Sequence, residues 1–187
     1  DQMTRLSRIT WLDWAKGQVF PARSEDGFQV WNGNHNGYQR LKDPVDHQRS
    51  IFSLGQDRWL VLDHLQGKSS HNYRLHWLLA DFPYQLLDNG SGLIVDSESH
   101  PCRIQIGSST MGGIFSILRA DPQSTRGWRS RYYAQKEPAI SLVLDLVQQE
   151  TFFWTFFGQS GDELHANDCQ IEITFNGETR RIIFLES

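Results

Sequence analysis

The stretch of residues 31–41 gathers groups that bind sugars into one short, glycine-rich segment. Trp31 and Tyr38 offer ring faces for the apolar side of a pyranose, because aromatic rings combine a large apolar surface with a polar edge. His35 and Arg40 add hydrogen-bond donors for hydroxyl groups. We therefore predict carbohydrate contact by these four residues. The structural alternative, which such segments serve more often, is a hairpin whose two Asn-Gly steps supply positive φ.

A second candidate segment, residues 126–133, places three arginines among three aromatic rings. Arginine pairs carboxylates in a bidentate geometry, so Arg126 and Arg131 could hold an acidic polysaccharide. Trp128 and Tyr133 would supply the rings of the same site. The alternative is a solvated strand entry in which the arginine stems pack on the rings.

The seven histidines raise the possibility of a metal site. No His-x-His pair occurs, and neighbours in a strand point to opposite faces, so Asp63 and His64 diverge. His71 and His76 diverge for the same reason. A site would have to join His35, Asp63 and His76 across strands. The sequence also lacks a nucleophile elbow and a P-loop, so we assign no catalytic residue and expect no cofactor.

Composition narrows the class of protein. The 187 residues are 39% hydrophobic and 21% charged, as in ordinary globular proteins. A formal net charge of −4 argues against a nucleic-acid partner. No apolar run approaches the roughly 20 residues of a membrane helix. Most aromatic residues are expected in the core. Cys102 and Cys169 lack metal-site spacing and are expected as buried thiols, with a disulfide as the alternative.

Short apolar segments separated by turn signals predict strands throughout the chain. The turns at residues 55–57 and 66–68 would connect the first three strands into an antiparallel meander. Asn176-Gly177 is the pair that a type I′ hairpin turn needs. We predict an all-β fold, an antiparallel β-sandwich forming a single domain over residues 1–187 with little or no helix. The predicted strands are residues 51–54, 59–63, 71–79, 102–106, 113–118, 140–147, 151–154, 170–175 and 180–185.

Several motifs follow one another in the order seen in a known family. The sequence resembles the carboxy-terminal β portion of heparinase II/III-like polysaccharide lyases over most of its length. Two positions depart from the family pattern: Ala134 stands where Gly is expected, and Glu137 precedes Pro138. The matching segments are Asp1-Gln2, residues 11–14, 35–41, 44–49 and 59–67, His71, and residues 127–133.

The resemblance implies a larger parent protein in which an α-helical toroid precedes antiparallel sheets. Such proteins cleave uronate-containing polysaccharides by β-elimination, with Tyr and His in the proton transfers. The family's catalytic residues and occasional metal ligands lie in motifs before Asp1-Gln2, so none is carried over. We expect this chain to be a fragment that flanks the cleft, inactive alone, with an upstream helical domain and an acidic polysaccharide as partners.

The same resemblance implies a periplasmic or extracellular protein, although no signal peptide is visible in the sequence. Two other functions remain open at this point. A free-standing carbohydrate-binding module would use the segments 31–41 and 126–133. A small cupin-like metalloenzyme would use the histidines, without the His-x-His pair that such proteins normally contain.

Overall fold

A computed structural model describes residues 2–7, 10–25, 28–97 and 100–184. None of these residues lies in a helix, and they form seventeen strands. The strands are β1 Thr4–Arg5, β2 Trp11–Leu12, β3 Gly17–Val19, β4 Arg23–Glu25, β5 Phe28–His35, β6 Val45–Gly55, β7 Arg58–Leu79, β8 Tyr84–Leu86, β9 Gly92–Val95, β10 Cys102–Ser108, β11 Ile114–Arg119, β12 Trp128–Arg129, β13 Glu137–Pro138, β14 Ile140–Gln159, β15 Glu163–Ala166, β16 Gln170–Phe175 and β17 Glu178–Ile183.

One large antiparallel sheet carries the fold. Its strand order is β3-β5-β6-β7-β14-β10-β9-β8, with β4 also beside β5 and β11 also beside β14. A separate three-stranded sheet, β15-β16-β17, packs against it. The predicted all-β antiparallel sandwich is confirmed.

The two longest strands, β7 and β14, pair with each other and bend together. The pairs Gln66–Glu150 and His71–Gln148 flank a bulge in which residues 67–70 stand opposite Gln149 alone. Extra residues in one strand bend a pair of strands, and here the bend turns the two halves of the pair towards each other. The indole N–H of Trp77 lies in the half formed by residues 71–79 and 140–148. It donates to Thr155 Oγ1, in the other half, at 2.9 Å.

This bend creates two cores, one on each face of the large sheet. The first core lies between the two halves of the bent pair and includes Leu65 and Phe153 from one half, and Leu75 and Leu142 from the other. The second core lies between the large sheet and β15-β16-β17, where Ile171, a fully buried residue of β16, packs. Strand β7 is buried at successive positions before the bend because its two faces belong to different cores, with Leu62 in the second and Leu65 in the first.

The predicted turn at residues 66–68 is wrong, and so is the three-stranded meander that depended on it. Residues 59–63 and 71–79 belong to one strand, β7, and residues 140–147 and 151–154 belong to β14. Gly67 is present for close packing, since a Cβ there would lie 2.7 Å from the His71 ring. A continuous partner strand therefore overrides the local turn signal of Gln66-Gly67-Lys68.

Other local predictions hold. The strands at 51–54, 102–106 and 170–175 are confirmed, and that at 113–118 is shifted by one residue. Asn176 and Gly177 have φ of 51° and 78°, as a type I′ turn requires. The returning strand is β17, and Leu185 of the prediction lies outside the described residues. Cys102 and Cys169 are free thiols as expected, but both are half-buried and not buried. The described part of the chain includes no helix that is apolar and long enough to cross a membrane.

Candidate functional site

The segment 31–41 is neither the predicted loop nor a hairpin with positive φ. Residues 31–35 end strand β5, where Asn32-Gly33 is extended, and the chain turns only after His35. Gly37 serves close packing, because a Cβ there would lie 2.9 Å from the Gln2 backbone oxygen. The Trp31 ring packs on the Trp59 ring, with centroids 5.9 Å apart. Trp31 is therefore half-buried and packs on a residue of β7, two strands away in the sheet.

His35 begins a chain of hydrogen bonds that crosses three neighbouring strands. His35 Nε2 lies 2.6 Å from His47 Nδ1, and His47 Nε2 lies 2.7 Å from Asp63 Oδ1. These residues lie on β5, β6 and β7, with side chains on the same face of the sheet. We call His35, His47 and Asp63 the His–Asp chain.

The positions of the protons in the His–Asp chain follow from its two ends. At one end, the backbone N–H of Gly37 donates to His35 Nδ1 at 3.1 Å, so that nitrogen carries no proton. At the other end, an ionised Asp63 can only accept, so His47 Nε2 donates to it. His47 Nδ1 is then the acceptor for the Nε2–H of a neutral His35. Both ring nitrogens of both histidines are thus occupied by protein groups.

Arg49 completes this network. Its Nε and one terminal nitrogen donate to the two oxygens of Asp63 at 2.7 and 2.9 Å, and its guanidinium lies 5.8 Å from the Trp77 ring centroid. Burial disfavours the Asp63 charge, but hydrogen bonds from His47 and Arg49 outweigh it and hold the pKa of Asp63 below its usual range. Burial above all, together with the positive charge of Arg49, lowers the pKa of His35. Ionised Asp63 and neutral His35 are the states that the hydrogen bonds require.

Beside the His–Asp chain lies an open cleft of ≈ 570 Å³, which we call the Tyr38 cleft. Tyr38 joins the two features, because its ring centroid lies 5.2 Å from that of His35 and the same ring lines the cleft. Arg40, two residues later, is exposed. The polar and aromatic lining of the cleft comprises Gln2, Trp11, Tyr38, His71, Asn72, Tyr73, Arg74 and His76.

The hypothesis of a metal site made of His35, Asp63 and His76 is wrong. His35 and Asp63 are joined through His47, whereas His76 Nε2 lies 2.8 Å from Ser141 Oγ on β14. Within the described ranges, no group of three or more His, Cys, Asp or Glu side chains is arranged to hold a metal. The cupin-like alternative therefore loses the observation that motivated it.

The segment 126–133 separates into an inner and an outer part. Arg126 is inner: its Nε donates to Ser141 Oγ at 3.0 Å and a terminal nitrogen donates to Ser116 Oγ at 3.1 Å. The Trp128 indole is also held internally, donating to the Asp121 carbonyl at 3.0 Å. These bonds engage polar groups of both side chains within the protein, and the Lys136 ammonium lies over the Trp128 ring, 3.8 Å from its centroid.

The outer part of the segment presents Arg131 and Tyr133. Tyr133 is fully exposed, and Arg131 is 61% exposed while pairing with Glu137 at 2.7 Å. The neighbouring Tyr132 is also mostly exposed. Among the eight residues predicted to contact sugar, Arg131 and Tyr133 therefore form the most accessible combination of a guanidinium and a ring.

The sequence matches the family model described as "Heparinase II/III-like, C-terminal" over residues 1–175. The chain belongs to this family. A search of curated proteins gave no significant match.

Solved structures show the same fold as this heparinase II/III-like chain. A heparinase III gene product is 12% identical with a TM-score of 0.66, covering 90% of this chain and 27% of that one. The heparan sulfate lyase HepC from Pedobacter heparinus is 16% identical with a TM-score of 0.64, covering 90% of this chain and 28% of that one. This chain therefore spans about a quarter of the length of those structures.

His47 and Arg49 of this heparinase II/III-like chain were not among the predicted site residues. The signal was present: Asp63 follows a run of apolar residues and had to find buried partners. His47 and Arg49 alternate on the preceding strand, as residues on one face must. Sequence reasoning missed the pairing because it does not give the register between β6 and β7.

Proposed function

We propose that this chain is the carboxy-terminal β portion of a polysaccharide lyase, flanking the substrate cleft and inactive by itself. The observation that carries the proposal is the family match over residues 1–175. It is supported by the length comparison, because the chain spans only 27% of a heparinase III of the same fold. An upstream helical domain would supply the remainder of the active site.

The state of the histidines supports a positioning role for this chain. In β-elimination a base removes the proton at C5 of the uronate, and a base needs a free lone pair within reach of that proton. His35 and His47 have none, because protein groups occupy all four ring nitrogens. The His–Asp chain therefore fixes three strands and the Tyr38 ring beside them.

Acidic polysaccharide is the proposed substrate class, and Arg131 with Tyr133 is the proposed contact of this chain. A carboxylate could replace Glu137 on Arg131, and the open ring of Tyr133 could stack on a pyranose. Long acidic polysaccharides lie outside cells or in the cell envelope, so we propose a periplasmic or extracellular location.

The direct test measures unsaturated uronate products by absorbance, in parallel for this chain and for the longer protein that contains it. Heparan sulfate, hyaluronan, alginate and a bacterial exopolysaccharide are the substrates. We expect products from the longer protein only. Products from this chain alone would refute its inactivity, and no product from either protein would count against lyase activity.

The substrate contact is tested by glycan affinity of the variants Arg131→Ala and Tyr133→Ala. Each should weaken binding of an acidic oligosaccharide by several-fold to about tenfold, the loss of about 1 kcal/mol expected for a charge-assisted or stacking contact. Arg181→Ala is the matched control, since Arg181 is 60% exposed and pairs with one glutamate, Glu172. Equal losses in Arg131→Ala and Arg181→Ala would mean nonspecific charge attraction.

Binding by this chain without lyase activity in the longer protein would favour the carbohydrate-binding module instead. The observation that favours this second function is the fully exposed ring of Tyr133.

A further inference from the structure

Strand β7 changes its surroundings at the bend. From Arg58 to Gly67 it pairs with β6 on one side and β14 on the other. From His71 to Leu79 it makes nine pairs with β14. Within the described ranges, no backbone hydrogen bond reaches the other side of this half. We call residues 71–79 the open edge.

The Tyr38 cleft runs along this open edge. Successive residues His71, Asn72, Tyr73 and Arg74 all line the cleft, although neighbours in a strand point to opposite faces. Because the cleft contacts residues from both faces of the strand, it lies along the edge of β7. Unpaired N–H and C=O groups therefore face into the cleft.

The cleft also has the apolar surface that an added strand needs. Leu41 and Met3, both partly exposed, contribute to its lining, together with the buried Val45 and Leu65. A strand added to an antiparallel sheet typically has one apolar and one polar face.

We propose that, in the complete lyase, an extended segment from outside these 187 residues pairs with the open edge as an additional strand. This inference rests on the proposed function, which makes the chain part of a longer polypeptide. Backbone hydrogen bonds along the edge would hold the segment, and its apolar side chains would cover Leu41 and Met3.

Two observations favour this occupant. Gln2 and Met3 line the cleft, so polypeptide preceding them would leave from beside the open edge. The relatives of the same fold are also more than three times longer, which leaves ample chain to supply a strand.

Charge argues against an acidic glycan as the occupant. His71 already contacts Asp43 at 3.0 Å, and Arg74 is paired with Asp145 through two hydrogen bonds. The His71 ring and the Arg74 guanidinium are therefore already engaged by carboxylates. A neutral, amphipathic strand fits this edge better than a polyanion does.

Hydrogen–deuterium exchange of the 187-residue chain and of the longer lyase tests the proposal. Alternate amides of residues 71–79 should exchange at least about tenfold more slowly in the longer protein, because pairing protects the amides that face the edge. Strand β17, Glu178–Ile183, is the control, since it is also paired on one side only and should exchange alike in both proteins.

Each other outcome overturns the proposal. Equal exchange of the open edge in both proteins would mean that no strand is added. Protection that appears only with added heparan sulfate would indicate a glycan, and protection of the isolated chain that grows with concentration would indicate a second copy.

A photo-crosslinking residue at exposed Asn72 gives a second readout. In the longer protein it should link to one upstream segment, and a crosslinker at Glu178 should not. A lyase that cleaves polysaccharide but leaves the edge unprotected would refute this inference and leave the proposed function standing. A protected edge in an inactive protein would support this inference and count against the proposed function.

Discussion

The two halves of strand β7 have the same partner, β14, but different surroundings. In the first half Asp63 is 4% exposed and its hydrogen bonds go to His47 and Arg49 on β6. In the second half Arg74 is more than half exposed and pairs with Asp145 directly across on β14. An enclosed half thus fixes its charges in a network, whereas an open half keeps them near solvent.

The difference indicates which charges stabilise the fold. A buried carboxylate that loses its partners, or leaves them unpaired, is costly, while an exposed ion pair contributes little. The enclosed half of β7 should therefore dominate stability, and the open half should contribute less.

The largest expected effect follows removal of the buried charge. Asp63→Asn leaves Arg49 without its anion and His47 with a weaker acceptor. We expect a loss of about 3 kcal/mol in the free energy of unfolding, the size typical of breaking a buried ion pair. Urea unfolding followed by fluorescence and by circular dichroism measures it.

Asp145→Asn is the matched control on the open half. It breaks an ion pair that is partly exposed on both sides, so the loss should stay below about 1 kcal/mol. Similar losses for the two variants would remove the contrast between the halves.

A smaller effect is expected at the bend that separates the two halves. In Gly67→Ala the new methyl group would lie 2.7 Å from the His71 ring, so the imidazole must move away from Asp43. We expect a loss of about 1–2 kcal/mol, in the range for overpacking. Thermal unfolding of the single variant and of a double-mutant cycle with His71→Ala measures it.

The cycle identifies the cause of the loss at Gly67. If the clash with His71 is responsible, Gly67→Ala should cost less in the His71→Ala background. An unchanged cost would assign the effect to the backbone of the bulge.

Strand content was predictable because it depends on short-range patterns. The alternation in residues 170–175 and the Asn176-Gly177 pair fix a hairpin without help from other strands. The turn at residues 66–68 was mispredicted because its polar and glycine residues form a bulge opposite Gln149. Only the pairing partner distinguishes a bulge from a turn.

The site was predictable only in part. Residue types in the segment 126–133 predicted sugar contact by four residues, and of these Arg131 and Tyr133 are exposed. They did not reveal that Arg126 is used internally, because its partners Ser116 and Ser141 come from β11 and β14. The His–Asp chain depends likewise on strand register, which local sequence does not encode.

The smallest expected effect is on the pH dependence of stability. In the folded chain, burial and then the charge of Arg49 keep the pKa of His35 below its ordinary value of 6.5. The unfolded chain therefore binds a proton more readily as the pH falls through that value. The free energy of unfolding should decrease from neutral pH down to the folded pKa of His35, and then level off for this group.

His76 acts in the same direction, because burial, then Arg126 and Arg74, lower its pKa. The pKa of Asp63 is also lowered, but its contribution is lost only at pH values below the ordinary 3.8. Between about pH 7 and about pH 5 the acid sensitivity should thus come from the histidines.

His35→Gln should make the decrease in stability over this pH range shallower, and His76→Gln should do so independently, since the two side chains belong to separate networks. Urea unfolding at several pH values measures the slope. His165→Gln, at an exposed position of β15, controls for loss of an imidazole elsewhere on the surface. If His35→Gln left the slope of stability against pH unchanged, exclusion of a proton from His35 would not be a source of the acid sensitivity.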